Sequence, residues 1–247
     1  MDTDASPLER ALRLAATDPA SRPDFYRQLL EAEIFVIGES GARPEGAWTA
    51  QEGDSIALQH WSKPDGTTVL PFFSSLAALQ RALDQEVTYY QLPARAFLEM
   101  TQGTTLVLDP RSDYGKEFSP GEIVALLSGG LTHPAQRLQI PEATQVLLAQ
   151  PGERPDALID GVRSFLARRP PARRAWLALM HIPTQDPEPH LVIGVEADGD
   201  VESLLAEIGN VAADLAGGPV DLIRVRAGEE GLSKYFLEQV EPFHSRA

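Results

Sequence analysis

The chain has 247 residues, 43% of them hydrophobic, with 36 Asp and Glu against 21 Lys and Arg for a formal net charge of -15. That apolar share builds ordinary buried cores, while an acidic surface repels nucleic-acid phosphate and anionic lipid, so neither nucleic acid nor membrane is an expected partner. The chain has no cysteine, which removes disulfides, thiolate zinc sites, iron–sulfur clusters and a Cys nucleophile together and fits a reducing compartment.

The opening Met1-Asp2-Thr3-Asp4 lacks a basic segment followed by an apolar one, so no signal peptide is expected. Runs such as 123–127 and 146–149 are far too short to span a bilayer, and a cytoplasmic location is the expectation. In chain order, Ser6-Pro7-Leu8-Glu9 starts a helix that runs to about Ala16. The Ser hydroxyl can accept from the Glu9 amide, Pro7 suits the first turn, and Glu9 can reach back. Asp18-Pro19 begins a second start, and Pro23 sits early in a helix that ends near Ala32, with Phe25, Leu29 and Ala32 on one face. Residues 34–37 predict a short buried strand, and the polar, Gly-rich stretch 38–54 an exposed loop. Residues 55–61 and 67–72 predict a hairpin about the turn Lys63-Pro64-Asp65-Gly66. Ser74 is the expected cap of a helix over 76–83. A strand follows at 87–91, Pro93 opens a helix to Met100, and a strand at 105–108 stops at Asp109-Pro110. Ser119-Pro120-Gly121-Glu122 repeats the capping pattern of Ser6 and starts a helix to Leu127.

Gly129-Gly130 and the polar residues to Pro134 predict a linker, after which the order of elements starts afresh. Strands are expected at 136–140 and near 146–148, a helix over 154–169, strands at 174–182 and 190–196 joined by a polar loop, a helix over 201–215, a strand at 220–225 and a final helix over 232–240. The pattern predicts an α+β protein of two consecutive domains, 1–130 and 137–247, each a mixed β-sheet flanked by helices.

No Gly-rich phosphate loop, no Gly-x-Ser-x-Gly elbow and no His-Glu-x-x-His helix occurs, and neither a cofactor nor a metal is expected. The densest polar segment is 109–118, with Asp109, Ser112, Asp113, Tyr114, Lys116 and Glu117 in one loop after a strand. Strand-end loops commonly bind ligands in α/β proteins, and the same composition also suits a plain turn whose Ser and Asp bond the backbone. His181 and His190 flank a loop with Asp186 and Glu188, but their spacing matches no ligand signature and ordinary strand ends are expected. Arg168, Arg169, Arg173 and Arg174 form a basic knot that could bind an anion or an acidic partner; the favoured reading is structural, with the first two complementing the end of a helix and the last two on opposite faces of a strand. Phe72-Phe73 and Tyr235-Phe236 are expected as core or interface aromatics, with an exposed partner patch as the sharper alternative.

Several stretches resemble the enhanced serine sensitivity protein (SseB) family. They are Asp24-Phe25-Tyr26-Arg27-Gln28-Leu29-Leu30-Glu31-Ala32-Glu33, Leu70-Pro71-Phe72-Phe73-Ser74-Ser75-Leu76, and the most specific one, from Leu108-Asp109-Pro110-Arg111-Ser112-Asp113-Tyr114-Gly115 through Lys116-Glu117-Phe118-Ser119-Pro120-Gly121-Glu122-Ile123. In the second half, Pro189-His190-Leu191-Val192-Ile193-Gly194-Val195-Glu196, Gly231-Leu232-Ser233-Lys234-Tyr235-Phe236 and Glu241-Pro242-Phe243-His244 resemble the family's C-terminal domain, whose closing motif often has Tyr in place of His244. The resemblance covers nearly the whole chain except 38–54. It implies an N-terminal and a C-terminal SseB domain and a bacterial, cytoplasmic protein, and it carries over no catalytic residues. The leading expectation is a non-catalytic binding or regulatory protein, linked to serine or sulfur amino-acid metabolism and contacting a protein partner through Asp109, Ser112, Asp113, Tyr114, Lys116, Glu117, Tyr235 and Phe236. The alternatives are a small-molecule sensor binding near Ser112, Lys116 or Ser119, and an enzyme using Asp113, Lys116 and Glu117.

Overall fold

The computed structural model describes residues 5–38, 57–129, 146–184 and 188–246. They fall into two compact units, one within the bounds Met1–Ala16 and Asp24–Leu127, the other within Thr17–Pro23 and Ser128–Ala247.

The first unit opens with α1 (Pro7–Thr17), which begins where the Ser6 hydroxyl accepts the Glu9 amide at 3.1 Å. Leu8, Leu12 and Ala15 make its buried stripe. Next comes α2 (Arg22–Glu31), burying Phe25, Tyr26 and Leu29 as their spacing predicts. The strands are β1 (Glu33–Ile37), β2 (Trp61–Ser62), β3 (Thr68–Phe73), β4 (Tyr89–Pro93), β5 (Leu106–Leu108) and β6 (Lys116–Phe118), with α3 (Leu76–Ala82), α4 (Ala94–Met100) and α5 (Pro120–Leu127) between and after them. The sheet runs β4-β1-β3-β5-β6, with β2 paired to the start of β3. β3 and β5 are parallel and the other pairs antiparallel, so the sheet is mixed. The hairpin turn forms as expected, Gly66 taking a φ of 85° and donating its amide to the Lys63 carbonyl at 2.9 Å.

Three local expectations in this half are corrected. The strand placed at 87–91 runs over Tyr89–Pro93, because its register with β1 pairs Ile37 with Tyr89 and Glu33 with Pro93. The loop placed at 109–118 ends early: Lys116–Phe118 is β6, antiparallel to β5. Ser75, not Ser74, caps α3, its hydroxyl accepting the Ala78 amide at 3.0 Å. The loop expected at 38–54 lies, beyond Gly38, outside the described residues.

In the second unit a short 3-10 turn, Pro19–Ser21, is capped by Asp18, whose carboxylate accepts the Ala20 amide at 3.0 Å. Then come β7 (Leu147–Ala149), α6 (Asp156–Ala167), β8 (Ala172–His181), β9 (His190–Ala197), α7 (Val201–Ala213), β10 (Val220–Arg224), α8 (Leu232–Gln239) and β11 (His244–Ser245). The order is β10-β9-β8-β11, with β7 also on β8, and only β9 and β10 are parallel. β8 is buried on both faces. Ala175 and Leu177 join the core with α6 and α7, while Trp176, Ala178 and Met180 join the core under α8. The closing strand β11 was not expected from sequence; two residues carry no legible period, and it is held by pairing His244 with Ala175. The linker at 129–136 beyond Gly129, and the strand at 136–140, lie outside the described residues. Two α+β units, each with a mixed sheet flanked by helices, is the fold class that the sequence predicts.

Candidate functional site

The turn between β5 and β6 is built around one buried carboxylate. Asp109 is 2% exposed, and its two oxygens accept the Ser74 amide at 2.8 Å and the Ser74 hydroxyl at 2.5 Å. Its own amide donates to the Phe72 carbonyl at 2.9 Å, and the Ser6 hydroxyl donates to the Ser74 carbonyl at 3.2 Å. The end of β3, the start of α1 and the loop are thereby tied together. Burial pushes the Asp109 carboxyl above its ordinary value, while the Ser74 hydroxyl and amide oppose that rise.

The loop backbone is unusual. Asp109 and Arg111 have φ of 46° and 67°, the left-handed region that side chains other than glycine rarely adopt. A Cβ on Gly115 would stand 2.8 Å from the Asp109 carbonyl oxygen, so only glycine fits there. The Arg111 side chain reaches away from the crest, donating to the Ala82 carbonyl at 3.0 Å with its guanidinium 5.3 Å from the Trp61 ring centre. Ser112, Asp113 and Tyr114 are left exposed.

Between this loop, α1 and the end of α3 lies a cavity of about 430 Å³, whose polar walls come from Glu9, Arg13, Arg81, Asp109 and 111–114. Glu9 is 6% exposed. Its Oε1 accepts Nη2 of Arg13 at 2.9 Å and Nη2 of Arg81 at 2.8 Å, while its Oε2 is buried with no hydrogen-bond partner among the described residues. The sequence-level expectation that Glu9 would reach back in a capping box is thus replaced by a pair of arginines. The Arg13 guanidinium lies 6.0 Å from the Tyr114 ring centre.

Of the candidate contact residues, the fold brings Asp109, Ser112, Asp113 and Tyr114 to this cavity and leaves the other four elsewhere. Lys116 lies on β6, its Nζ 3.1 Å from Glu122 and 4.8 Å from the Phe118 ring centre. Glu117, on the same strand, pairs with Lys63 at 2.9 Å. Tyr235 is half-buried on α8, and Phe236 is fully buried against Trp176, with ring centres 6.2 Å apart. The Phe236 ring belongs to the core of the second unit and presents no surface. Glu9, Arg13 and Arg81 were missed. The Glu9–Arg13 spacing of four residues is a readable helical ion pair, but nothing local joins Arg81 to it.

Elsewhere, His190 Nε2 is 2.7 Å from an Asp221 carboxylate oxygen, and no group of three His, Cys, Asp or Glu fit for a metal occurs among the described residues. The arginine knot is spent in pairs: Arg168 donates to the Ala20 carbonyl at 2.7 Å, Arg169 meets Glu207 at 2.8 Å, Arg173 meets Asp198 at 2.7 Å and Arg174 meets Glu196 at 2.6 Å. Among the described residues no helix is long and apolar enough to cross a membrane.

The family described as SseB protein N-terminal domain matches residues 8–125, a span that holds every residue of the cavity wall, and the family described as SseB protein C-terminal domain matches residues 140–246. Protein SseB of Escherichia coli (strain K12) is 39% identical over 242 residues, covering 97% of this chain and 92% of that relative. Protein SseB of Shigella flexneri matches with the same identity and coverage. No solved structure matches the chain.

Proposed function

This chain belongs to the SseB family, and from that premise we propose that it is a non-catalytic, cytoplasmic binding and regulatory protein that engages a protein partner through the crest of the 109–114 loop. The observation that carries this reading is the construction of the loop. Two non-glycine residues sit in left-handed backbone, locked by the buried bonds of Asp109 to Ser74 and by Arg111, so that Ser112, Asp113 and Tyr114 stand exposed on a rigid base. Backbone strain held in place by buried bonds is typical of functional loops, and a rigidly presented Tyr is a common interface anchor. The link to serine or sulfur amino-acid metabolism comes from the family resemblance and not from the geometry.

Capture from a bacterial lysate on the immobilised full chain tests the reading. The double variant Asp113→Ala with Tyr114→Ala is expected to keep its circular dichroism spectrum and to lose the captured partner by about tenfold, the usual effect of removing one interface anchor. Equal capture by wild type and variant would end the assignment of the loop.

A further inference from the structure

We propose that a break in the edge of β8 docks an extended segment of a partner protein, one residue of which pairs its backbone with Leu177 and places a large apolar side chain in the cavity beneath. Two short strands share that edge of β8 without meeting. β7 covers it as far as the pair Ala149 and Leu179, and β11 begins at the pair His244 and Ala175, so 176–178 have no strand partner there. Two bonds fix which way the backbone faces. The Ala175 carbonyl accepts the Phe243 amide at 2.9 Å, on the β11 side, and the Val195 carbonyl, opposite Ala175 on β9, accepts the Val225 amide at 2.8 Å, on the side away from β8. Successive residues of an antiparallel strand direct their amide and carbonyl to alternate edges. Trp176 and Ala178 therefore bond to β9, and the amide and carbonyl of Leu177 both face the break. Neither group of Leu177 has a hydrogen-bond partner on this edge among the described residues.

At the break lies a cavity of about 420 Å³, with Ile159 of α6, Leu177, Phe243, Pro151, Pro155 and Pro242 in its walls. Pro151, just beyond β7, and Pro242, just before β11, have no N–H to donate to the Leu177 carbonyl, so these wall residues do not close the gap. Arg163 holds the wall in shape, its Nε donating to the Phe243 carbonyl at 2.9 Å and its Nη1 to Asp160 at 2.6 Å. An open donor and acceptor side by side match the acceptor and donor of a single peptide residue, and a strand edge left open in this way is a template for a further strand. A residue paired opposite Leu177 directs its side chain to the same face as Leu177, the face packed on α6. Apolar walls and this volume suit a side chain the size of Leu or Phe. The exposed residues Arg154 and Glu241 add one charge of each sign to the lining, so the site selects no net charge in its occupant.

Amide hydrogen exchange of the full chain, followed residue by residue by NMR, provides the test. In the free protein the Leu177 amide should exchange at least about tenfold faster than those of Trp176 and Ala178, which are bonded to β9. The probe is the blocked tripeptide acetyl-Ala-Leu-Ala-amide. For a Kd of about 1 mM, about 5 mM of it should slow exchange at Leu177 about sixfold. The same peptide methylated on its leucine nitrogen lacks the donor and should leave Leu177 unchanged. Gln150→Trp, in the cavity wall, should abolish the effect of the first peptide. Should that variant fail to fold, the comparison of the two peptides on the wild type decides alone. The proposal is overturned if Leu177 is as protected as its neighbours in the free protein, if the tripeptide leaves it unchanged, or if both peptides slow it equally. Protection that grows with protein concentration in the absence of peptide would assign the edge to a second copy of the chain and overturn it as well. The Asp113, Tyr114 double variant should bind the tripeptide as the wild type does, so this reading and that of the 109–114 loop fail separately.

Discussion

Asp109 shows how a single side chain can set a loop and leave a signature in pH. Its carboxyl is raised above the ordinary 3.8 chiefly by burial, with the Ser74 hydroxyl and amide acting against the rise. A raised folded-state value means that the native protein holds this proton more tightly than the unfolded chain does. The stability contributed by the group is then fully present below the unfolded value and is lost as pH rises through the folded one. Asp109→Asn keeps the shape and one acceptor for Ser74 but removes the titration. Urea unfolding from about pH 4 to about pH 7 should therefore show wild-type stability falling relative to the variant as pH increases. A wild type that gains on the variant over that range would mean that the Ser74 bonds outweigh burial.

At the level of elements, α5 carries a complete capping box. The Ser119 hydroxyl accepts the Glu122 amide at 3.2 Å, and Glu122 Oε2 accepts the Ser119 amide at 2.8 Å. Ser119→Ala should lower stability by about 1 kcal/mol, seen as a lower urea midpoint with an unchanged slope. This box was legible because four consecutive residues contain all of it, and the same holds for the cap at Ser6 and the turn at Gly66. What was hidden depends on partners distant in sequence. β6 has three residues, two of them charged, and exists through its pairing with β5; β11 exists through β8. Ser74 and Ser75 satisfy the local capping rule equally well, and only Asp109, 35 residues on, claims the first and leaves the second for the helix. The cavity divides the same way. The loop wall stands out in the sequence as a polar cluster, whereas Arg81 meets Glu9 across 72 residues and is joined to it only by the fold.

For the whole chain, the notable fact is where Thr17–Pro23 belongs. This segment, between α1 and the body of α2, is part of the second unit. Ala20 is fully buried in the core that contains Val162, Phe165, Ile208 and Val211; its carbonyl accepts Arg168, and Arg22 pairs with Asp214. Ala20→Leu would overpack that core, with an expected loss of about 1–3 kcal/mol. Hydrogen exchange should then quicken in α6 and α7, although the substitution lies near the start of the chain. A change confined to 17–31 would contradict that placement.

A ribosome delivers the Ala20 turn long before α6 and α7 emerge, so the keystone of the later body is the first part of it to be synthesised. A gene truncated to its second half would accordingly encode a body with an unfilled seat. A short synthetic peptide carrying 17–23 is the natural plug for it.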